Sequence, residues 1–291
     1  MPAHTPYDGS SKPFAIGLRP LDISNWIEMD DHFDAYRAEK ERLYAEIPEK
    51  VFVAENDTVD AQQEVLDLLN EHLLSHHANH FRRIERNGLP SAPLVEASLL
   101  VQEDLILMRK SENGWRLAAG SLCFPSSWVL QEKFGKPLQD IHQPVPAFGP
   151  GTRMAQLIER MFDNLQVEQP VQRFNWSIQA NPDLYHPLHS TQRIDRATQR
   201  PTRFPDGELA ANAFMRVERQ TLRKLARSGD ILFTIRIYID PLEVLRRDPA
   251  KERLAYSFAE QLEMLDTAQL DYKGLTADRD ALVSALKNMA R

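Results

Sequence analysis

The chain has 291 residues, with 35 basic and 42 acidic side chains, a net charge of −7 and 42% hydrophobic residues. This is the balance of a folded globular protein with material for a sizeable core, and it lacks the basic excess of a chain that neutralises many phosphates, so nucleic acid is not expected as a partner. The single cysteine, Cys123, has no partner for a disulfide and cannot build a cysteine-rich zinc or iron–sulfur site, and the 11 glycines form neither GxGxxG nor GxxxxGKS. No basic stretch followed by an apolar run opens the chain, and no apolar run approaches a membrane span. The expectation is a cytoplasmic protein outside the membrane.

Residues 1–25 are rich in Pro, Gly and Ser and read as an extended lead-in. Trp26, Phe33, Tyr36, Leu43, Tyr44 and Ile47 then recur at roughly helical spacing, and Pro48 ends that helix. A second helix is expected from Thr58, as N-cap, to Arg86, with Val65, Leu66, Leu69 and Leu73 as its stripe and Asn87-Gly88 as its stop. From Pro93 the pattern turns to strands: LVEASLLVQ, DLILMRK and, after the turn SENG, WRLAAGSLCF, the last two forming an antiparallel hairpin. A proline-rich middle carries Pro125, Pro137, Pro144, Pro146 and Pro150. A helix over Met154–Leu165 precedes three more strands, VQRFNWSIQ, NAFMRVERQ and DILFTIRIYI, with an irregular excursion over residues 182–208. Leu254, Phe258, Leu262, Leu265, Leu282 and Leu286 indicate two C-terminal helices. The absence of a regular βαβ alternation predicts an α+β fold: an antiparallel sheet of about five to six strands with flanking N- and C-terminal helices. It reads as one domain, with a helical layer over residues 1–90, the sheet over 91–240 and helices over 241–291.

Four groups of residues are candidates for chemistry. Strand alternation puts Arg216 and Glu218 on one face, with Val217 and Arg219 on the other. Facing inward they form a structural ion pair or part of a site; facing outward they form a solvated surface. His142 lies in IHQPVP, where Pro144 and Pro146 stiffen the backbone and bias the residues before them towards extended conformations. A lone, rigidly held imidazole suits haem better than zinc, and the alternative is a histidine satisfied by a backbone hydrogen bond. His72, His76, His77 and His80 cluster on the second helix, where His76 and His80 have the i,i+4 spacing of a metal pair or pack at the helix end. Cys123 reads as a small buried hydrophobe, with a thiolate haem ligand as its functional alternative.

Together WIEMD (26–30), VQEDLILM (101–108), CFPSSW (123–128), EKFGKPLQDIHQPVP (132–146), RFNWSI (173–178), RVERQTLRKL (216–225) and SGDILFTIRIYIDPL (228–242) resemble the haem-dependent oxidative N-demethylase alpha-subunit-like family, which includes a dimethylamine monooxygenase subunit. The resemblance implies a PAS-like sheet, a b-type haem, and oxidative removal of a methyl group from a small amine with O2 and external electrons, releasing formaldehyde. On the family's IHxPVP motif, His142 becomes the proximal iron ligand, its second nitrogen bonded to Asp140, Glu132 or a carbonyl. On the RVERQ motif, Glu218 holds a substrate ammonium, with Arg216 beside it in the catalytic group. Arg219, Asn175 and Trp176 are then expected around the cofactor, arginine serving the propionates and Trp176 an aromatic wall. With no flavin, dinucleotide or iron–sulfur module legible in this chain, electrons would come from a separate NAD(P)H-dependent flavin/iron–sulfur reductase, and the protein would assemble with other subunits. The competing class is a non-catalytic haem or small-ligand sensor.

Overall fold

A computed structural model describes residues 1–80, 91–204 and 209–291. Its strands are β1 (Arg19–Pro20), β2 (Phe52–Ala54), β3 (Asp104–Ser111), β4 (Gly114–Ser121), β5 (Val171–Gln179), β6 (Phe214–Lys224) and β7 (Ile231–Pro241). They form one antiparallel sheet in the order β1-β5-β6-β7-β3-β4-β2. The two edge strands are short, which limits the unpaired backbone offered to other chains. The helices are α1 (Phe33–Glu46), α2 (Pro48–Val51), α3 (Val59–His76), α4 (Pro93–Leu99), α5 (Leu130–Lys133), α6 (Leu138–Ile141), α7 (Arg153–Asp163), α8 (Ser190–Gln199), α9 (Leu209–Asn212), α10 (Lys251–Glu263), α11 (Thr267–Lys273) and α12 (Arg279–Met289). None of the described helices is long and apolar enough to cross a membrane.

The period-two patterning of the long strands decides which layer covers which face. Trp176, Ile178, Met215 and Val217 meet the apolar sides of α10, α11 and α12. On the same side further along, Leu105, Leu107 and Leu232 are covered by α3 and α4. The opposite face presents Ile106, Met108, Leu117, Leu222, Ile235 and Ile237, roofed by Leu122, Phe124, Leu138, Phe148 and Phe162 from the proline-rich middle and α7.

Several elements differ from the sequence expectation. LVEASLLVQ begins with helix α4 rather than a strand: Pro93 stands at its first positions with φ already set for a helix, and the run is too short for periodicity to separate the two. The first long helix starts at Phe33, and Trp26 is instead fully buried in a loop beside a 3-10 turn. Thr58 precedes α3, but its hydroxyl donates to Glu55 O (2.6 Å) and caps nothing. α3 ends at His76, while the expected stop at Asn87-Gly88 lies outside the described residues. The excursion at 182–208 contains α8, and the C-terminal layer holds three helices rather than two.

Candidate functional site

The β5–β6 register pairs Arg173 with Gln220, Asn175 with Glu218 and Ser177 with Arg216. Pairing opposite residues puts their side chains on one face, and β7 continues that face with Ile235 and Ile237 beside Gln220 and Glu218. The floor is therefore polar on β5 and β6 and apolar on β7 and β3. Segments from α5 to α8, together with α11, close over it. Glu218, Asn175 and His142 all line the resulting cavity.

His142 follows the last residue of α6, and its backbone N–H donates to Leu138 O (3.1 Å). Its Nδ1 reaches the same carbonyl at 3.0 Å. A carbonyl oxygen only accepts, so Nδ1 carries the proton and Nε2 presents a lone pair. Burial, helped by the nearby Lys133 and then Arg173, pushes the imidazole down to about 4, against the opposing hydrogen bond to Leu138, and keeps it neutral at pH 7. Of the three partners expected for its second nitrogen, the structure selects a carbonyl. Glu132 instead accepts from Ser190 N (3.0 Å) and Ser190 Oγ (3.0 Å). Beyond His142 the prolines sit in successive turns rather than an extended stretch, with Val145 N bonded to His142 O (2.8 Å) and Phe148 N to Val145 O (3.0 Å).

Glu218 is 8% exposed, and its Oε2 accepts from Gln220 Nε2 (2.7 Å) and, at the long limit, from Asn175 Nδ2 (3.4 Å). It is the one carboxylate lining the cavity among the described residues, against four cations: Lys133, Arg173, Arg193 and Lys273. None of the four has a carboxylate within ion-pair distance among the described residues. Lys133 lies over the Trp128 ring (4.2 Å), Lys273 donates to Trp176 O, and Arg173 Nη2 donates to Ala15 O (3.2 Å) while its buried Nε has no partner. Burial lowers both lysines to about 8. Lys273 is buried and the other three are half-buried, with Glu218 the one carboxylate in the lining among the described residues, so the wall carries an excess of positive charge that suits an anion.

The other expected site residues lie elsewhere. Arg216 shares the Glu218 face but is fully buried beneath the roof, donating to Phe124 O (2.7 Å), Pro125 O (3.2 Å) and Leu184 O (3.3 Å). It ties two crossing segments to β6. Arg219 faces the other side of the sheet, bound to Glu28 (3.0 Å) and Trp26 O (3.0 Å), so the expected contact with a cofactor in this cavity is corrected by strand parity. Trp176 is corrected for the same reason: its ring meets Phe258 of α10 and its Nε1 donates to Gln261 Oε1 (2.9 Å). Cys123 is buried outside the cavity lining, and burial pushes its thiol well up, which disfavours a thiolate. His72 is buried against Trp26, with His76 and His77 beside it, while the His80 side chain lies outside the described residues. No group of three or more His, Cys, Asp or Glu suited to a metal occurs among the described residues.

The sequence reading missed the four cations, which come from α5, β5, α8 and α11 and share no local motif. One of them was accessible: alternation in VQRFNWSIQ puts Arg173 on the face of Asn175. The chain matches the family described as haem-dependent oxidative N-demethylase, alpha subunit-like, over residues 17–283.

Proposed function

This chain belongs to the haem-dependent oxidative N-demethylase, alpha subunit-like family, and on that premise we propose that it holds a b-type haem through His142 and removes a methyl group from a small methylated amine, releasing formaldehyde. The observation that carries the assignment is the imidazole of His142, neutral, fixed through Nδ1 and offering Nε2 on the wall of a largely apolar cavity. The residues fit the group. A single axial histidine suffices for an iron already held by a macrocycle, and cations with no carboxylate within ion-pair distance suit two propionates.

Haem bound there would supply the activation of O2 and the oxidation of a methyl C–H bond. The chain supplies binding, orientation and charge. The Nδ1–H bond to Leu138 O fixes the ring and raises the basicity of Nε2. Lys133 and Arg193, on α5 and α8, are our candidates for the propionates. Glu218, held by Gln220, is our candidate for the substrate ammonium, with Asn175 beside it. Ile106, Ile235 and Ile237 exclude water from the floor. Arg216 serves this arrangement indirectly by fixing the roof. We read the sheet and its helices as one PAS-like domain. The family's alpha-subunit description implies an enzyme of several subunits, and we assign electron delivery to a separate NAD(P)H-dependent flavin/iron–sulfur reductase.

Haem-loaded protein supplied with O2, a reductase and a secondary or tertiary methylamine should release formaldehyde and the demethylated amine in equal amounts. Full haem loading and reduction with no formaldehyde across a panel of methylated amines, N-methylated amino acids included, would replace this reading with the sensor.

A further inference from the structure

The charge of the cavity carries information about the substrate that the family description does not. The two propionates of a bound haem, with Glu218, would offset three of the four cations that line the cavity and leave one unbalanced before any substrate enters. A simple ammonium ion would add to that excess. The cation best placed to be the remainder is Arg173, because Lys133 and Arg193 stand on the roof helices and Lys273 is anchored on Trp176 O. Arg173 stands on the floor, on the same face as Asn175, the residue paired with Glu218, and therefore diagonal to Glu218. Diagonal neighbours on adjacent strands share a face and lie within mutual reach of long side chains, so one small zwitterion can contact both. Its guanidinium donates one hydrogen bond, to Ala15 O, and its Nε is buried with no partner. A planar fork with an unused edge is the shape that takes a carboxylate in two parallel bonds.

We propose that the substrate is an N-methylated amino acid, whose ammonium meets Glu218 and whose carboxylate meets Arg173, rather than a simple alkylamine. The inference rests on the haem-dependent demethylase reading and narrows its substrate class. Both ends are then held by groups fixed on β5 and β6, so the N-methyl group is positioned by two contacts instead of one.

The same carboxylate chemistry has a second source in the propionates, and the experiment separates them. Wild-type haem-loaded protein is titrated with N-methylglycine, N-methylglycinamide and dimethylamine, following the Soret shift, and the titrations are repeated with Arg173→Gln and Arg173→Lys. Haem content and circular dichroism are recorded for each. N-methylglycine should bind at least about tenfold more tightly than its amide and than dimethylamine, as expected for one charge-assisted pair. Arg173→Gln should abolish that preference with haem content unchanged, and Arg173→Lys should keep part of it. Equal binding of the three ligands by wild type overturns the inference whether or not the variants fold. Loss of haem from Arg173→Gln also overturns it, by giving the guanidinium to a propionate. Absence of a Soret band in wild type is a different result, the failure of the haem reading itself.

Discussion

Glu218 projects into a cavity lined by cations, where it accepts from Gln220 and, at the margin, from Asn175. A group in that position orients a bound ammonium without contributing to iron ligation. Glu218→Gln is therefore expected to weaken amine binding by roughly tenfold to a hundredfold, the equivalent of about 1.5–3 kcal/mol for one charged hydrogen bond, while haem content is unchanged. Amine-induced Soret shifts measure the first and the pyridine haemochrome assay the second. Sequence alternation alone put Arg216 and Glu218 on one face, and left open whether that face points inward. It did not divide their tasks, because what separates them is a roof segment more than 90 residues away along the chain: Phe124 O and Pro125 O take the guanidinium of Arg216 and leave Glu218 to the cavity.

At the scale of elements, α11 is the piece that brings Tyr272 and Lys273 to the cavity, and its two ends are well specified. Asp266 and Gln269 form a reciprocal capping box at its start, and Gly274 ends it in the left-handed region at φ 67°. A Cβ on Gly274 would also fall 2.6 Å from Arg196 Nε. Gly274→Ala should cost about 1–2 kcal/mol from the backbone alone, read as a thermal midpoint lower by about 2–6 °C. The end of α3 gives a pH prediction. Burial, then His76, His77 and Arg223, lower His72 from 6.5 to about 4. Its folded pKa is below the unfolded one, so the unfolded chain takes up the proton first. This contribution is present above about pH 6.5 and is lost as pH falls towards 4. Urea midpoints between pH 7 and 4.5 should fall less steeply in His72→Gln than in the parent protein. The long strands were legible because their period-two patterns are long and bounded by turn residues. α4 was not, because an apolar run of its length suits either element and only its packing beneath α3 decides.

Across the whole molecule, the long strands of the sheet separate two tasks. One face is covered by α3, α4 and the C-terminal helices, and the other carries the proline-rich roof and the cavity between them. The sequence motifs singled out His142 and Glu218, each in a short recognisable segment, and both line the cavity. The misplacement of Arg219 and Trp176 followed from taking whole motifs as one site, although adjacent residues of a strand face opposite layers. The cationic lining was illegible for a different reason: Lys133, Arg173, Arg193 and Lys273 span 140 residues of chain and converge only when the sheet and its roof form. Whether His142 holds the haem is decided by the absorption spectrum of the haem-reconstituted protein. Wild type should show a Soret band at about one haem per chain, and His142→Ala should lose it with its circular dichroism preserved. A Soret band of unchanged position and intensity in His142→Ala would contradict the assignment.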